Sequence, residues 1–153
     1  MSLKELLNQD KLKPHRTSRE EIANLLKLVK RDIKDAKVSG LSSDRKFATA
    51  YNAVLQSATI FLYCEGYRTS GMGRHFIVFE AMKKILGKEY FELADYFDSC
   101  RSQRNVTDYS YPGEISEAEA IELIQETENF LKVVLHWLKT NHPNLLASDY
   151  TNK

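Results

Sequence analysis

The sequence predicts an all-α protein, an antiparallel up-and-down bundle of four to five helices joined by short loops. Apolar residues recur at steps of three and four along nearly the whole chain, which is the period of an α-helix. The 153 residues include only 6 Gly and 3 Pro, too few for a β-sandwich rich in loops. A chain of this length can bury a genuine core, so we expect residues 1–153 to form a single domain.

The N-terminal part predicts two helices of unequal length. A short helix is expected over residues 2–9, within an N-terminal extension at 1–16. The second helix begins after Thr17 or Ser18, since both are N-cap residues and acidic side chains follow them. It ends near Gly40. Its basic face consists of Lys27, Lys30, Arg31 and Lys34. This face is either solvated or contacts RNA or an acidic partner.

The middle of the chain predicts a central helix and a connection. Residues 43–65 are apolar over so much of the helix circumference that neighbours are expected on several sides. The following stretch, EGYRTSGMGRH, contains three glycines and is interpreted as a turn between helices. Its Gly-x-Gly precedes a helix, with Arg68, Arg74 and His75 close by in the sequence, so backbone amides at the helix start could also hold a phosphate.

Three further helices complete the predicted bundle. One covers residues 74–86, and the next runs from about residue 88 until Pro112 ends it. The last begins at the capping box Ser116-Glu117-Ala118-Glu119 and ends before Pro143. The tail at 143–153 is expected to be loosely attached.

Composition excludes several classes of function. The 22 basic and 21 acidic residues nearly cancel, so no global field would draw the chain onto nucleic acid or a membrane. Its two cysteines do not form a CxxC pair, and no apolar run is long enough to span a membrane. His15, His136 and His142 lack the spacing of metal ligands. We therefore expect a cytoplasmic protein without a metal or cofactor.

The segment CRSQRNVTDYSYPGE, which begins at residue 100, is the strongest candidate for a functional site. The buried face of its helix is formed by Tyr90, Leu93, Ala94 and Phe97. The same face continues into charged and polar residues, namely Arg101, Arg104, Asn105 and Asp108. Charges on a face directed at the core are costly unless they are paired, hydrogen-bonded or open to a cleft. Asp108 is a candidate intrahelical partner for either arginine.

Two interpretations of this segment stay open. It is either the polar end of a helix, where arginines complement the helix dipole, or a site for a phosphate-bearing ligand. Arginine binds phosphate oxygens bidentately, and the rings of Tyr109 and Tyr111 could stack on bases. The second interpretation predicts Arg101, Arg104, Tyr111 and His75 as ligand-binding residues.

The sequence resembles the HEPN domains between about Leu25 and Leu138. The resemblance is carried by AYNAVLQSATIFLYCEGYRTSG, then a helix, then RSQRNVTDY, then a long amphipathic helix that ends in FLKVVLHWL. It implies a small antiparallel bundle that dimerises through the face bearing the motif. Many family members are metal-independent ribonucleases of toxin–antitoxin or defence systems. Others bind nucleotides, or are partners of a minimal nucleotidyltransferase.

The family's nuclease signature is an arginine, often followed by Asn, with a histidine four to six residues later. Arg104 and Asn105 match the first half, whereas the histidine is missing. Asp108 and Tyr109 stand near its place, and no histidine occurs between Arg104 and His136. Tyrosine is a poor proton-transfer group near neutral pH. His75 could replace the missing group from elsewhere in the chain.

Three hypotheses follow. The first is a HEPN-type nucleotide- or RNA-binding or interaction module, a homodimeric partner of a nucleotidyltransferase in a toxin–antitoxin-like system. The second is a metal-independent ribonuclease with a variant motif, in which Arg104, Asn105, Asp108 and Tyr109 are the catalytic candidates. The third is a structural helical bundle without a ligand.

Overall fold

The computed structural model describes residues 2–71, 74–109 and 113–151, and the side chains of these residues except at 106–109, 150 and 151. Six helices dominate it, and a seventh short helix lies near its end. They are α1 (Leu3–Asn8), α2 (Arg19–Ala36), α3 (Ser43–Cys64), α4 (Arg74–Leu86), α5 (Phe91–Tyr109), α6 (Glu117–Asn141) and α7 (Ser148–Thr151). The all-α bundle is confirmed.

Serine side chains cap α2, α3 and α6, and the sequence predicts the caps at Ser18 and Ser116 but not the one at Ser42. Ser18 accepts a hydrogen bond from the backbone N–H of Glu21 at the start of α2. Ser116 accepts one from Glu119, whose carboxylate accepts the Ser116 N–H in return. This capping box satisfies two backbone donors that the first turn of a helix leaves open. Local signals therefore fix where α2 and α6 begin.

The central helix of the bundle is α3, which contacts α2, α4, α5 and α6. Its buried residues include Phe47, Tyr51 and Phe61, each at most 2% exposed. The ring of Phe61 lies 5.7 Å from that of Phe130, and Phe130 lies 4.9 Å from Phe97. These aromatic contacts join α3, α5 and α6 into one core, because packed rings bury large apolar areas.

Two short strands correct the prediction of a plain connection after α3. Strand β1 (Leu12–Pro14) pairs antiparallel with β2 (Tyr67–Thr69). Gly66 has a φ of +92°, and its carbonyl accepts the His15 N–H at 2.8 Å. Such a φ favours glycine, so the turn out of α3 leads directly into the strand. Pairing over three residues leaves little periodic pattern, and the sequence therefore indicated only a turn.

The ends of the chain are attached to the core more closely than expected. Leu6 in α1 and Leu12 in β1 are each 1% exposed, and Leu146 is fully buried. Leu146 lies just after a 3₁₀ turn at Pro143–Leu145, so at this residue the tail packs against the bundle. A single large apolar side chain is enough to anchor such a segment, because its burial stabilises by about 2 kcal/mol.

Within the described part of the chain, no helix combines the length and apolarity needed to cross a membrane. The thiols of Cys64 and Cys100 are both free. Burial raises the pKa of each thiol to about 12. A raised pKa disfavours the thiolate, which is the reactive form, at Cys100 in the bundle interior and at the partly buried Cys64.

Replacing Phe130 tests the aromatic core. We expect Phe130→Ala to lower the free energy of unfolding by roughly 3–5 kcal/mol, because the cavity lies where α3, α5 and α6 meet. Phe76→Ala is the matched control, since Phe76 is 43% exposed on α4. Urea unfolding monitored by circular dichroism measures both changes. Equal losses in the two variants would contradict the assignment of Phe130 to the core.

Candidate functional site

The buried face of α5 changes its chemistry towards the C-terminus of the helix. Ala94 and Phe97 are fully buried, and Arg101 and Arg104, further along, are half-buried. This part of the predicted face is therefore confirmed. Asn105 is exposed, so the buried face does not extend to it. Two guanidinium groups consequently stand where the apolar core of the bundle ends.

Arg101 is held by an acidic residue one turn earlier. Its Nε donates a hydrogen bond to Oδ1 of Asp98 at 2.7 Å. This hydrogen bond raises the pKa of the Arg101 guanidinium. Asp98 is therefore an intrahelical partner of Arg101, and the pairing with Asp108 stays a prediction. The side chain of Asp108 lies outside the described residues.

Arg104 lies over the ring of a buried tyrosine from the central helix. Its Cζ is 5.4 Å from the ring centroid of Tyr51 on α3. This separation is within the range in which a cation is attracted to the electron-rich face of an aromatic ring. Because Tyr51 is fully buried, its ring is a rigid support for the guanidinium.

His75 approaches the same tyrosine from α4. Its Nδ1 lies 3.4 Å from the Tyr51 hydroxyl, and the two ring centroids are 6.1 Å apart. The phenol thereby connects His75 to Arg104, although the three residues belong to three different helices. His75 is half-buried, so one side of the imidazole stays open to a ligand. We call His75, Tyr51, Arg101 and Arg104 the arginine–tyrosine–histidine site.

The surroundings of His75 disfavour its charged form. The pKa of His75 is lowered by burial first, and then by the positive charges of Arg104, Arg74 and Arg101. His75 is also the second residue of α4, where the positive end of the helix dipole further disfavours an imidazolium. A neutral imidazole can accept a hydrogen bond or a proton from a ligand.

The tyrosine of the site stays protonated. Burial raises the pKa of Tyr51 well above its ordinary value, although Arg104 and Arg101 act in the opposite direction. The phenol therefore serves as a hydrogen-bond donor or acceptor and as a ring platform. It cannot act as a base near neutral pH.

Tyr51 is the site residue that the sequence did not identify. It lies in the apolar part of α3, where the helical pattern by itself predicts only a core side chain. Its hydroxyl is the feature of the sequence that could have indicated a polar contact, because a buried tyrosine usually places that group against a polar partner. The pattern of a helix does not reveal which partner this is, since His75 and Arg104 come from other helices.

The other predicted residues lie partly outside the described part of the chain. The side chains of Asp108 and Tyr109, and all of Tyr111, belong to this undescribed part. Their predicted roles stay predictions. Across residues 2–71, 74–109 and 113–151, no group of three or more His, Cys, Asp or Glu side chains could hold a metal ion. The described site therefore consists of cationic, aromatic and imidazole groups.

The electrostatic coupling between Arg104 and His75 can be measured directly. We expect Arg104→Gln to raise the pKa of His75, because removing a nearby positive charge makes the imidazolium less unfavourable. The Hε1 resonance of His75, followed by NMR over a pH titration, reports this pKa. Arg16→Gln is the control, since Arg16 is exposed in the segment between β1 and α2. An unchanged titration in Arg104→Gln would contradict the proximity of the two groups.

Comparison with protein-family models gives one match. Residues 39–135, more than half of the chain, match the model of the SAV_6107-like HEPN family. The matched segment contains α3, α4 and α5 in full, and therefore every member of the arginine–tyrosine–histidine site. No curated protein and no solved structure matches the chain. On the strength of the family match, the chain belongs to the SAV_6107-like HEPN family.

Proposed function

We propose that this protein is a HEPN-type module that binds a phosphate-bearing ligand, a nucleotide or an RNA, at the arginine–tyrosine–histidine site. The observation that carries the proposal is the position of Arg104. Its guanidinium lies 5.4 Å over the ring of Tyr51, and the hydroxyl of that tyrosine lies 3.4 Å from His75. The half-buried guanidinium and imidazole groups form a surface that suits an anionic ligand, and the buried Tyr51 supports them from the core side.

The concentration of positive charge supports an anion as the ligand. Arg74, Arg101 and Arg104 are all close enough to lower the pKa of a single imidazole. The formal net charge of the chain is only +1, so this clustering is local. A phosphate would offset the mutual repulsion of the guanidiniums, and charge-assisted hydrogen bonds to its oxygens are strong. Asp98 holds Arg101 in place and reduces the entropy lost on binding.

We also propose the biological setting from the family and the sequence. In this setting the protein is a cytoplasmic homodimer that acts with a nucleotidyltransferase-type partner in a toxin–antitoxin-like system. Membership of the HEPN family supports the proposal, since the resemblance implies both a dimer and such a partner. Light scattering coupled to size-exclusion chromatography tests the dimer, and co-purification with the product of a neighbouring gene tests the partner.

A metal-independent ribonuclease is the second candidate, and the position of His75 favours it. The motif lacks its histidine on α5, but α4 supplies a neutral imidazole beside Tyr51 and Arg104. In this reaction His75 would accept the proton of an RNA 2′-hydroxyl as its oxygen attacks the adjacent phosphorus. Arg104 would stabilise the charge that develops on the phosphorane. The 5′-oxygen then leaves with a proton from water, and a 2′,3′-cyclic phosphate remains.

Binding of RNA tests the main proposal. We expect Arg104→Ala to weaken binding of a fluorescein-labelled single-stranded RNA about 10- to 100-fold, because hydrogen bonds to charged groups contribute roughly 1.5–3 kcal/mol. The slope of the logarithm of the binding constant against the logarithm of the salt concentration should also fall by about one, which corresponds to the loss of one phosphate contact. Fluorescence anisotropy at several salt concentrations measures both quantities, with a fluorescent ATP analogue as the nucleotide probe. Arg16→Ala is the matched control, and equal binding by all three proteins would refute the proposal.

Cleavage of the same RNA separates the two candidates. If the second candidate is correct, EDTA-treated protein should cut the RNA, and both His75→Ala and Arg104→Ala should lower the rate at least about 100-fold. The product ends should be cyclic phosphates, which mass spectrometry identifies. Binding without cleavage would leave the main proposal standing and exclude the ribonuclease. Cleavage that persists in His75→Ala would exclude His75 as the base.

A further inference from the structure

A groove of about 380 Å³ lies between α2 and α6, away from the helices that form the arginine–tyrosine–histidine site. Its apolar part consists of Ile33, Leu131 and Leu135, which are all half-buried. Half-burial means that the bundle covers only one side of these side chains. The other side is an apolar surface that a partner could cover.

Lysines surround this apolar surface. Lys30 and Lys34 come from α2 and Lys132 from α6, and all three are exposed. A fourth, Lys37, bonds to Glu128 across the groove at 2.7 Å. The apolar stems of lysines can pack along an apolar surface while their ammonium groups reach outward. The groove therefore combines an apolar base with a basic rim, although the whole chain is nearly neutral.

The groove continues along α6 beyond the pair formed by Lys37 and Glu128. A second depression of about 310 Å³ shares these two residues and is also lined by Ile121 and Ile124. Ile121 is 45% exposed, so its side chain adds to the apolar surface of the groove. From Glu117 to Leu135 the two depressions extend about 27 Å along the helix, at a rise of 1.5 Å per residue. This length matches a partner helix of about 18 residues.

We propose that this groove, formed by α2 and α6, binds an amphipathic helix of another protein that carries acidic residues beside an apolar stripe. Two adjacent helices leave a channel into which the apolar side of a third can pack. Acidic residues on both borders of that stripe would then face the lysines of the rim. Charge complementarity of this kind selects the partner and its orientation.

Other occupants fit the groove less well. An RNA would contact the lysines but leave Ile33, Leu131 and Leu135 uncovered. A second copy of this chain could offer the acidic part of α6, but Glu117 already pairs with Lys46. Glu119 completes the capping box of its own helix. An acidic helix from a different protein leaves these contacts intact and covers both the apolar base and the basic rim.

A designed peptide tests the proposal on the full chain. The probe is an 18-residue fluorescein-labelled helix with leucines at positions i, i+3, i+4 and i+7 and glutamates on both borders. A second peptide carries lysine at every glutamate position. We expect the glutamate peptide to bind at least about tenfold more tightly than the lysine peptide. Only the glutamate peptide can form three or more ion pairs with the lysines of the rim, and each pair contributes up to about 1 kcal/mol. Fluorescence anisotropy measures both affinities.

Variants assign the binding to this groove. Lys34→Glu combined with Lys132→Glu should weaken the glutamate peptide at least about tenfold and should favour the lysine peptide. Lys84→Glu combined with Lys88→Glu is the matched control, because these two lysines are exposed at the end of α4 and near its following turn. Leu135→Ser tests the apolar base, with a thermal melt to verify folding. RNA binding should be unchanged in the Lys34/Lys132 variant.

Several results would overturn the proposal. Equal affinity for the two peptides, no binding at about 1 mM peptide, or undiminished binding by the Lys34/Lys132 variant each exclude an acidic helix. Binding of anionic phospholipid vesicles through these lysines, without peptide binding, would assign the groove to a membrane surface. Loss of RNA binding or of a dimer in the Lys34/Lys132 variant would assign it to RNA or to a second copy. If only the Arg104-dependent binding of RNA fails, the proposed function is refuted and the proposal for the groove is unaffected.

Discussion

The burial of Tyr51 in the central helix is the constraint on which the candidate site depends. A phenol without exposure must place its hydroxyl against a polar group, because an unsatisfied hydroxyl inside a protein is costly. Here the group is His75 at 3.4 Å. The face of the same ring supports Arg104. One side chain of the core therefore positions two polar residues from the helices that flank α3. The packing that buries Tyr51 also brings the residues of the site together.

The charged residues near the end of α5 lie where the apolar core of the bundle ends. Phe97 is still inside the bundle, whereas Arg101 and Arg104 occupy its border, where the guanidiniums are only partly desolvated. A partly desolvated arginine interacts strongly with anions and with neighbouring titratable groups. The pKa of His75 is lowered by burial first and by this field in addition. A positive field of this kind would favour an anionic ligand, as the proposed function requires.

Two separate surfaces result from the arrangement of helices around α3. The arginine–tyrosine–histidine site uses α3, α4 and α5, whereas the basic groove uses α2 and α6. A ligand at the site and a helix in the groove would share no contact residue. A partner held at the groove would therefore leave the site accessible.

The sequence by itself determined the helices, the caps at Ser18 and Ser116 and the buried face of α5, because these features depend on periodicity and on residues within one turn. It also singled out Arg104. The pairing of Asp98 with Arg101, three residues apart, is within reach of the same local pattern but was not identified from it. Only the tertiary structure decided that Tyr51 belongs to the site and that the first residues pair with the segment after α3. These contacts join residues far apart in the chain, and their partners depend on how whole helices pack. Local pattern carries no information on such packing, so the site was predicted in part and the groove not at all.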